Sequence, residues 1–373
     1  FHAKTLSAFL FMFFATFAST VALGVVVDDA ATGTNKCMGV TELVLSLSIA
    51  GMVHSLFSGC PMAVLRPTGP ITLFIIKLYG LSASLQIDFF DWFAWVGFWI
   101  GVYMILIAVF DLCRHIRLAT RFLHDLFAFF VCTIYIHDGI AGVAGLWPDT
   151  KSQIGPREQW QNNTCETLAC AYFSFILFCC TLFGGLLLNA ITSTRLINAK
   201  GREFVKDYAL TIAIFASIFI GYASAGAQKY HVGANETNEQ YIPHIELPRG
   251  VSPTFNDLPQ HNYTNRQWWV GLSASGSEDL QGEYNASQFK DKTMCGDDTV
   301  PCGIKGTDIV FAALAAIPIT FWFYFDQLFS SLLHQIGLGP DGKNLTKGAY
   351  YHSSFLWAGI FNMILPMFGL PFV

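Results

Sequence analysis

The sequence predicts an all-α polytopic membrane protein, and three observations carry that prediction. Its 373 residues are 53% hydrophobic and 15% aromatic but only 13% charged, with a mean hydropathy of +0.46, outside the range of soluble globular domains. Apolar runs alternate with polar connections along its whole length. Two of these runs adjoin Gly-Pro-type breaks, at Thr68-Gly69-Pro70 and at Gly369-Leu370-Pro371. Inside a bilayer every backbone polar group needs a partner, so a helix that starts at membrane depth is tolerated only where it lines a protein-enclosed cavity. Such half-helices in corresponding positions of two repeats mark substrate sites. Paired breaks therefore point to a transport pathway.

The runs follow in order. Leu6 to Val27 comes after His2 and Lys4 and is read as a first span rather than a secretory signal, because its apolar core matches the bilayer thickness. Val40 to Gly59 is the second span, and Ile71 to Leu81 the third run, too short for a full crossing at 1.5 Å rise per residue. Phe89 to Leu112, Leu126 to Leu146, Ala169 to Ile191, Tyr208 to Ala227 and Ile309 to Leu333 are spans four to eight, and Phe355 to Phe368 is the ninth. The aromatic residues of the first, such as Phe11, Phe13, Phe14 and Phe17, read as lipid-facing and packing surface.

Lys and Arg in short connections set the orientation. Arg114, Arg117 and Arg121 separate spans four and five; Arg195, Lys200, Arg202 and Lys206 separate six and seven; Lys343 and Lys347 separate eight and nine. These connections are expected inside. Asp28-Asp29, the stretch 147–167 and the long polar stretch 228–307 are expected outside. Sequons at Asn162, Asn235, Asn262 and Asn285 all fall on that outer face, an independent signal that agrees with the charge rule. Asn344 also sits in a sequon, on the expected inner face, and should carry no glycan. Stretch 228–307 reads as a capping loop ordered chiefly by Trp268-Trp269 and its cysteines. Cys295 and Cys302 flank a short turn that suits a disulfide, and free loop thiols are the equal alternative.

The net charge of −5 is spread over loops with no basic stripe, which excludes nucleic acid as a partner. No Walker A, His-Glu-x-x-His or Gly-x-Ser-x-Gly motif is present, so neither ATP coupling in this chain nor an enzyme has a motif behind it.

At the first break, Pro70 suits the first helical position, Gly69 permits an unusual turn and Thr68 can cap a free backbone donor. The free amides and the positive dipole end there, worth about half a charge, favour an anion. Thr68, Gly69, Pro70 and Ile71 are thus the candidate substrate-binding residues. Asp326 lies among aromatic and apolar residues of the eighth run, where a carboxylate is costly and commonly serves as an ion or proton site. Other polar residues have plainer readings. Glu42 starts its helix near the outer surface, His54 is a packing histidine, Arg66 and Lys77 snorkel toward the two surfaces, and His137-Asp138 form a local cluster.

At these residues the chain resembles the bicarbonate transporter family, which includes the erythrocyte anion exchanger, the sodium-bicarbonate cotransporters and the plant and fungal borate transporters. The likeness rests on Gly39-Val40-Thr41-Glu42, Thr68-Gly69-Pro70, Arg121-Phe122, Asp125-Leu126-Phe127-Ala128 and Ile134-Tyr135-Ile136-His137-Asp138. It continues through Ile317-Pro318, Phe325-Asp326-Gln327, Lys347-Gly348, Tyr351-His352 and Phe368-Gly369-Leu370-Pro371.

The resemblance implies a 7+7 inverted-repeat transporter fold, in which a core domain moves against a gate domain and an anion binds between the third and tenth helix starts. On that frame residues 1–125 hold core spans one to four with a half-helix at 70–81, and 126–227 hold gate spans five to seven. Residues 228–307 form the glycosylated outer loop, and 308–373 hold spans eight and nine and the start of the tenth. The chain is then expected to be a fragment of a longer transporter that does not transport alone.

The function implied is secondary active transport of bicarbonate or carbonate by alternating access in a plasma-membrane homodimer. Sodium coupling is the first expectation, with Asp326 as the sodium ligand, because an Asp here resembles the sodium-coupled members. Chloride/bicarbonate exchange is the alternative, then borate transport; a seven-span receptor-like protein is the rival of another class, against which the short third run argues. The chain departs from the family pattern in having Ile75 and Ile76 where many members carry acids, Arg66 where the residue is usually small or apolar, and Ser354 in place of an Asp.

Overall fold

The computed structural model describes residues 3–30, 38–59, 65–85, 87, 89–118, 121–145, 168–191, 198–225, 268–272, 304, 306–336 and 350–373. The sequons at Asn162, Asn235, Asn262, Asn285 and Asn344 and the Cys295–Cys302 pairing lie outside the described residues.

The described secondary structure is helical throughout. In chain order it comprises α1 (Ala3–Ala30), α2 (Val40–Phe57), α3 (Gly69–Leu85), α4 (Phe89–Val109), a 3-10 segment η1 (Leu112–Leu118), α5 (Arg121–Gly145), α6 (Leu168–Ile191) and α7 (Ala199–Ala225). It continues with α8 (Gly306–Ile336), α9 (Tyr351–Ile364) and a second 3-10 segment η2 (Leu365–Phe368). Among the described residues six helices are long and apolar enough to cross a membrane: Thr5–Val27, Val40–Phe57, Phe89–Val109, Asp125–Ala144, Tyr172–Ile191 and Gly306–Ser331. Gly69–Ser82 and Tyr208–Ala223 are shorter apolar helices. The third run is thus one of the shorter apolar helices and begins at Gly69 beside the Thr-Gly-Pro signal, but α3 continues to Leu85, four residues past the expected 70–81. The seventh run was expected to span as Tyr208 to Ala227, whereas its apolar part is only Tyr208–Ala223 within a helix that begins nine residues earlier at Ala199.

The chain divides into two compact units, residues 1–18 with 133–246, and residues 19–132 with 247–373. In the first, α6 pairs with α7. Thr181 and Ser217 meet across that seam at 2.8 Å while each hydroxyl also donates to its own helix, to Leu177 O at 2.7 Å and Ala213 O at 3.0 Å. Small and hydroxylated residues suit helix contacts in lipid, where burial of apolar surface gives no driving force and close approach does. Large apolar side chains such as Phe183, Leu187 and Phe219 stay exposed on these helices, as a lipid-facing surface requires. Phe11, Phe13 and Phe17 of α1 are exposed likewise, while Phe14 packs edge-on against Phe215.

In the second unit α4 is the hub, packed against α3, α8, α9, η1 and η2. Past Asp91 in the first turn its sequence is apolar all round, as a helix buried among others must be. Trp92, Phe93, Ala94, Val96, Ile100 and Met104 are completely buried. The α4–α9 crossing is built on missing side chains. A Cβ on Gly97 would overlap Pro366, one on Gly101 would overlap Met363, and one on Gly359 would press on Met104. Aromatic donors tie α4 to α8, with Trp92 Nε1–H donating to Asp308 O at 3.1 Å and Tyr103 O–H to Ala313 O at 3.3 Å.

At the second break the structure shows the turn that Gly369 makes. Gly369 adopts the left-handed conformation (φ 65, ψ 23) and closes η2, its N–H donating to Pro366 O at 2.9 Å, and Leu370–Val373 are not helical. A residue with a Cβ pays for that φ, which is why Gly stands there. The extended end is held by side chains. Asn362 of α9 pairs with Val373 in both directions, Nδ2–H to Val373 O and Val373 N–H to Oδ1, each at 2.8 Å. Ser46 of α2 donates to Pro371 O at 2.6 Å, and Phe372 stacks on Phe93 at 4.4 Å.

Candidate anion site at the start of α3

The segment Leu65–Thr68 is non-helical and leads straight into α3. Leu65, Pro67, Thr68, Gly69, Pro70 and Ile71 are buried, and Arg66 alone in this stretch is exposed. Helix formation starts where it does because Pro70 lacks an N–H to lose and its fixed φ suits a first turn. The first bonds are Thr72 N–H to Thr68 O at 3.1 Å and Thr72 Oγ1–H to the same carbonyl at 3.2 Å. Amides ahead of Thr72 have no partner inside the helix.

Inward positions Ile71, Thr72, Ile75, Leu78 and Ser82 repeat at helical spacing and are buried, whereas Leu73, Lys77, Leu81 and Leu85 are exposed. This stripe seats α3 against α4 and α8, with Tyr79 edge-on to Phe89 at 5.4 Å. Ile75 and Ile76, standing where acids were expected from the family pattern, thus belong to a packed apolar helix.

One expectation is corrected. Thr68 was expected to cap the helix with its side chain, but its hydroxyl makes no hydrogen bond although the residue is only 3% exposed. A buried, unsatisfied hydroxyl beside free amides costs about 1–3 kcal/mol unless something polar reaches it. Both features invite an acceptor, and an anion supplies one for each.

Asp326 sits half-buried on α8, the helix that α3 contacts. Aromatic rings surround its turn, with Phe321 on Phe325 at 4.7 Å and Phe325 on Phe329 at 5.5 Å, and Phe127 of α5 on Phe329 at 5.4 Å. The substrate residues named from sequence and Asp326 thus belong to one unit, on neighbouring helices.

Other residues divide similarly. Glu42 is completely buried, and its Oε2 accepts Gly39 N–H at 3.0 Å, so it is a cap inside the protein rather than a surface acid. His54 is buried against the Phe361 ring, as a packing histidine. His137 Nδ1 and Asp138 Oδ1 lie 3.1 Å apart, as the local cluster predicts.

Sequence reasoning missed three arrangements. Asn362 was one polar residue in an apolar run, a signal of cost that was available. His352 Nε2 meets Asp111 Oδ1 at 2.6 Å, with Asp111 at φ 59, a left-handed turn that Asp tolerates better than most. Next to it, burial pushes the Cys113 thiol up to about 12, so it is inert near neutral pH. Finally, Val270 and Gly271 N–H groups both donate to Met367 O, at 2.8 and 3.1 Å, and Trp269 packs on Phe368 at 5.0 Å. Trp268-Trp269 was named as an ordering element, but its docking place on η2 was not.

The comparisons with known proteins agree with this architecture. Residues 1–169 match the family model of the HCO3- transporter integral membrane domain. Over 402 aligned residues the chain is 21% identical to anion exchange protein 3 of Plecturocebus moloch, covering 100% of this chain and 28% of that protein. It is 22% identical over 388 residues to anion exchange protein 3 of Danio rerio, covering 99% and 28%. With anion exchange protein 4 of Homo sapiens it shares 20% over 433 residues, covering 99% and 37%. The chain therefore spans little more than a quarter of the first two relatives. An all-α, multi-pass membrane architecture is thus joined to a likeness, over residues 1–169, to the integral membrane domain of HCO3- transporters and, over the whole chain, to anion exchange proteins.

Proposed function

We propose that the full-length protein exchanges chloride for bicarbonate by alternating access, with the anion held at the open end of α3. The carrying observation is the buried helix start, where free amides and the unsatisfied Thr68 hydroxyl converge. The relatives' name, anion exchange protein, favours exchange over the sodium coupling expected from Asp326. Thr68, Gly69 and Ile71 offer donors, and Pro70 fixes the turn that presents them. The working form is a homodimer in the plasma membrane, packed through the helices of residues 126–227.

A second reading is sodium-coupled bicarbonate or carbonate transport. It is favoured by Asp326, a carboxylate on an apolar helix beside α3, which suits a hard cation with oxygen ligands.

One experiment separates the readings. Labelled-bicarbonate uptake by the full-length protein is measured with sodium replaced by an inert cation, and then with the chloride gradient reversed. Exchange predicts uptake that ignores sodium and follows the chloride gradient. Loss of uptake without sodium, with Asp326→Asn removing that dependence, would favour cotransport.

A further inference from the structure

Arg66 stands where the family pattern has a small or apolar residue, and a surface-seeking side chain was its only reading from sequence. It adjoins the open end of α3, two residues before the Thr68-to-Gly69 start and exposed among buried neighbours. The next cation along this stretch, Lys77, lies eight residues into the helix, roughly 12 Å further along its axis. Arg66 and Asp326 make no ion pair within 4.0 Å and no hydrogen bond. The guanidinium's five N–H donors are therefore not consumed by the carboxylate.

The guanidinium fork discriminates by shape. A guanidinium offers two parallel donors that match the two oxygens of a planar carboxylate-like anion. Bicarbonate is such an anion, whereas chloride is a sphere that gains mainly from charge. Helix-end amides serve both, because they offer a diffuse positive end rather than a fixed pair.

We propose that Arg66 is the specificity-determining residue of the anion site, taking two bicarbonate oxygens edge-on beside the start of α3 while chloride at the same place uses charge alone. This rests on the reading of α3 as the anion site in an exchanger.

The test uses the full-length protein in proteoliposomes, with sodium absent and transporter amount normalised by immunoblot. The KM for bicarbonate and the KM for chloride are measured separately for wild type, Arg66→Lys and Arg66→Gln. Arg66→Lys keeps the charge and loses the fork, so bicarbonate KM should rise about tenfold, the size of one charge-assisted hydrogen bond, with kcat within twofold. Chloride KM should change less than twofold. Arg66→Gln should raise both, bicarbonate the more. Equal rises for the two anions in Arg66→Lys, or no change in either variant, would overturn the assignment. Failure of the exchange reading shows separately, as wild-type flux that requires sodium or ignores chloride.

Discussion

Asn362 illustrates what a single side chain must do where backbone runs non-helically between buried helices. Leu370–Val373 has no strand beside it among the described residues, and the bilayer offers no water, so a primary amide stands in for a neighbouring peptide. Both of its hydrogen bonds, at 2.8 Å, are made by a side chain with no exposure. Asn362→Leu keeps the branched skeleton and removes both partners, leaving Val373 N–H and C=O unsatisfied at ~1–3 kcal/mol each. Thermal unfolding of the purified protein should show a clear drop in Tm for this variant, and a smaller one for Ser46→Ala, where one bond is lost. An unchanged Tm for Asn362→Leu would mean that the clasp contributes nothing to stability.

Packing of whole helices depends on where side chains are absent. Gly101 of α4 faces Met363 and the backbone of Gly359 on α9, so Gly101→Ala forces the two axes apart. Overpacking of this kind costs about 1–3 kcal/mol. Gly80 on α3 is the control, since a Cβ there meets nothing within 4 Å. Gly80→Ala should hold or raise stability by up to ~1 kcal/mol through the better helix propensity of Ala. Denaturation of the two variants side by side checks both signs, and equal losses would refute the close-crossing account. The same contrast shows how much was legible in advance. The start of α3 at Gly69 was readable because Thr-Gly-Pro acts locally, through a missing N–H and a permissive turn. The apolar runs were readable as helices because length and composition are summed over many residues. Thr68's unsatisfied hydroxyl, the burial of Glu42 and the Ser46–Pro371 bond were not, since each depends on what lies hundreds of residues away in sequence or on whether a partner happens to fall in reach. At the second break only the turn is seen: Gly369 closes η2 in the left-handed conformation, as its lack of a Cβ allows.

For the molecule as a whole, the site has a direction only if the spans have sides. The charge rule puts Arg114, Arg117 and Arg121 after α4 on the inner face, along with the connection after α7's preceding helix and the one between α8 and α9. The sequons at Asn162, Asn235, Asn262 and Asn285 then belong outside and Asn344 inside. Glycans are added only in the secretory lumen, so occupancy reports sidedness independently of charge. In the full-length protein expressed in mammalian cells, each occupied site changed to Gln should remove one step of the glycosidase-sensitive mobility shift, and Asn344→Gln should remove none. The Asn344 result is the decisive one. If that substitution does remove a step, the connection between α8 and α9 faces outside, both helices are inverted, and Asp326 meets the opposite solution in any access cycle.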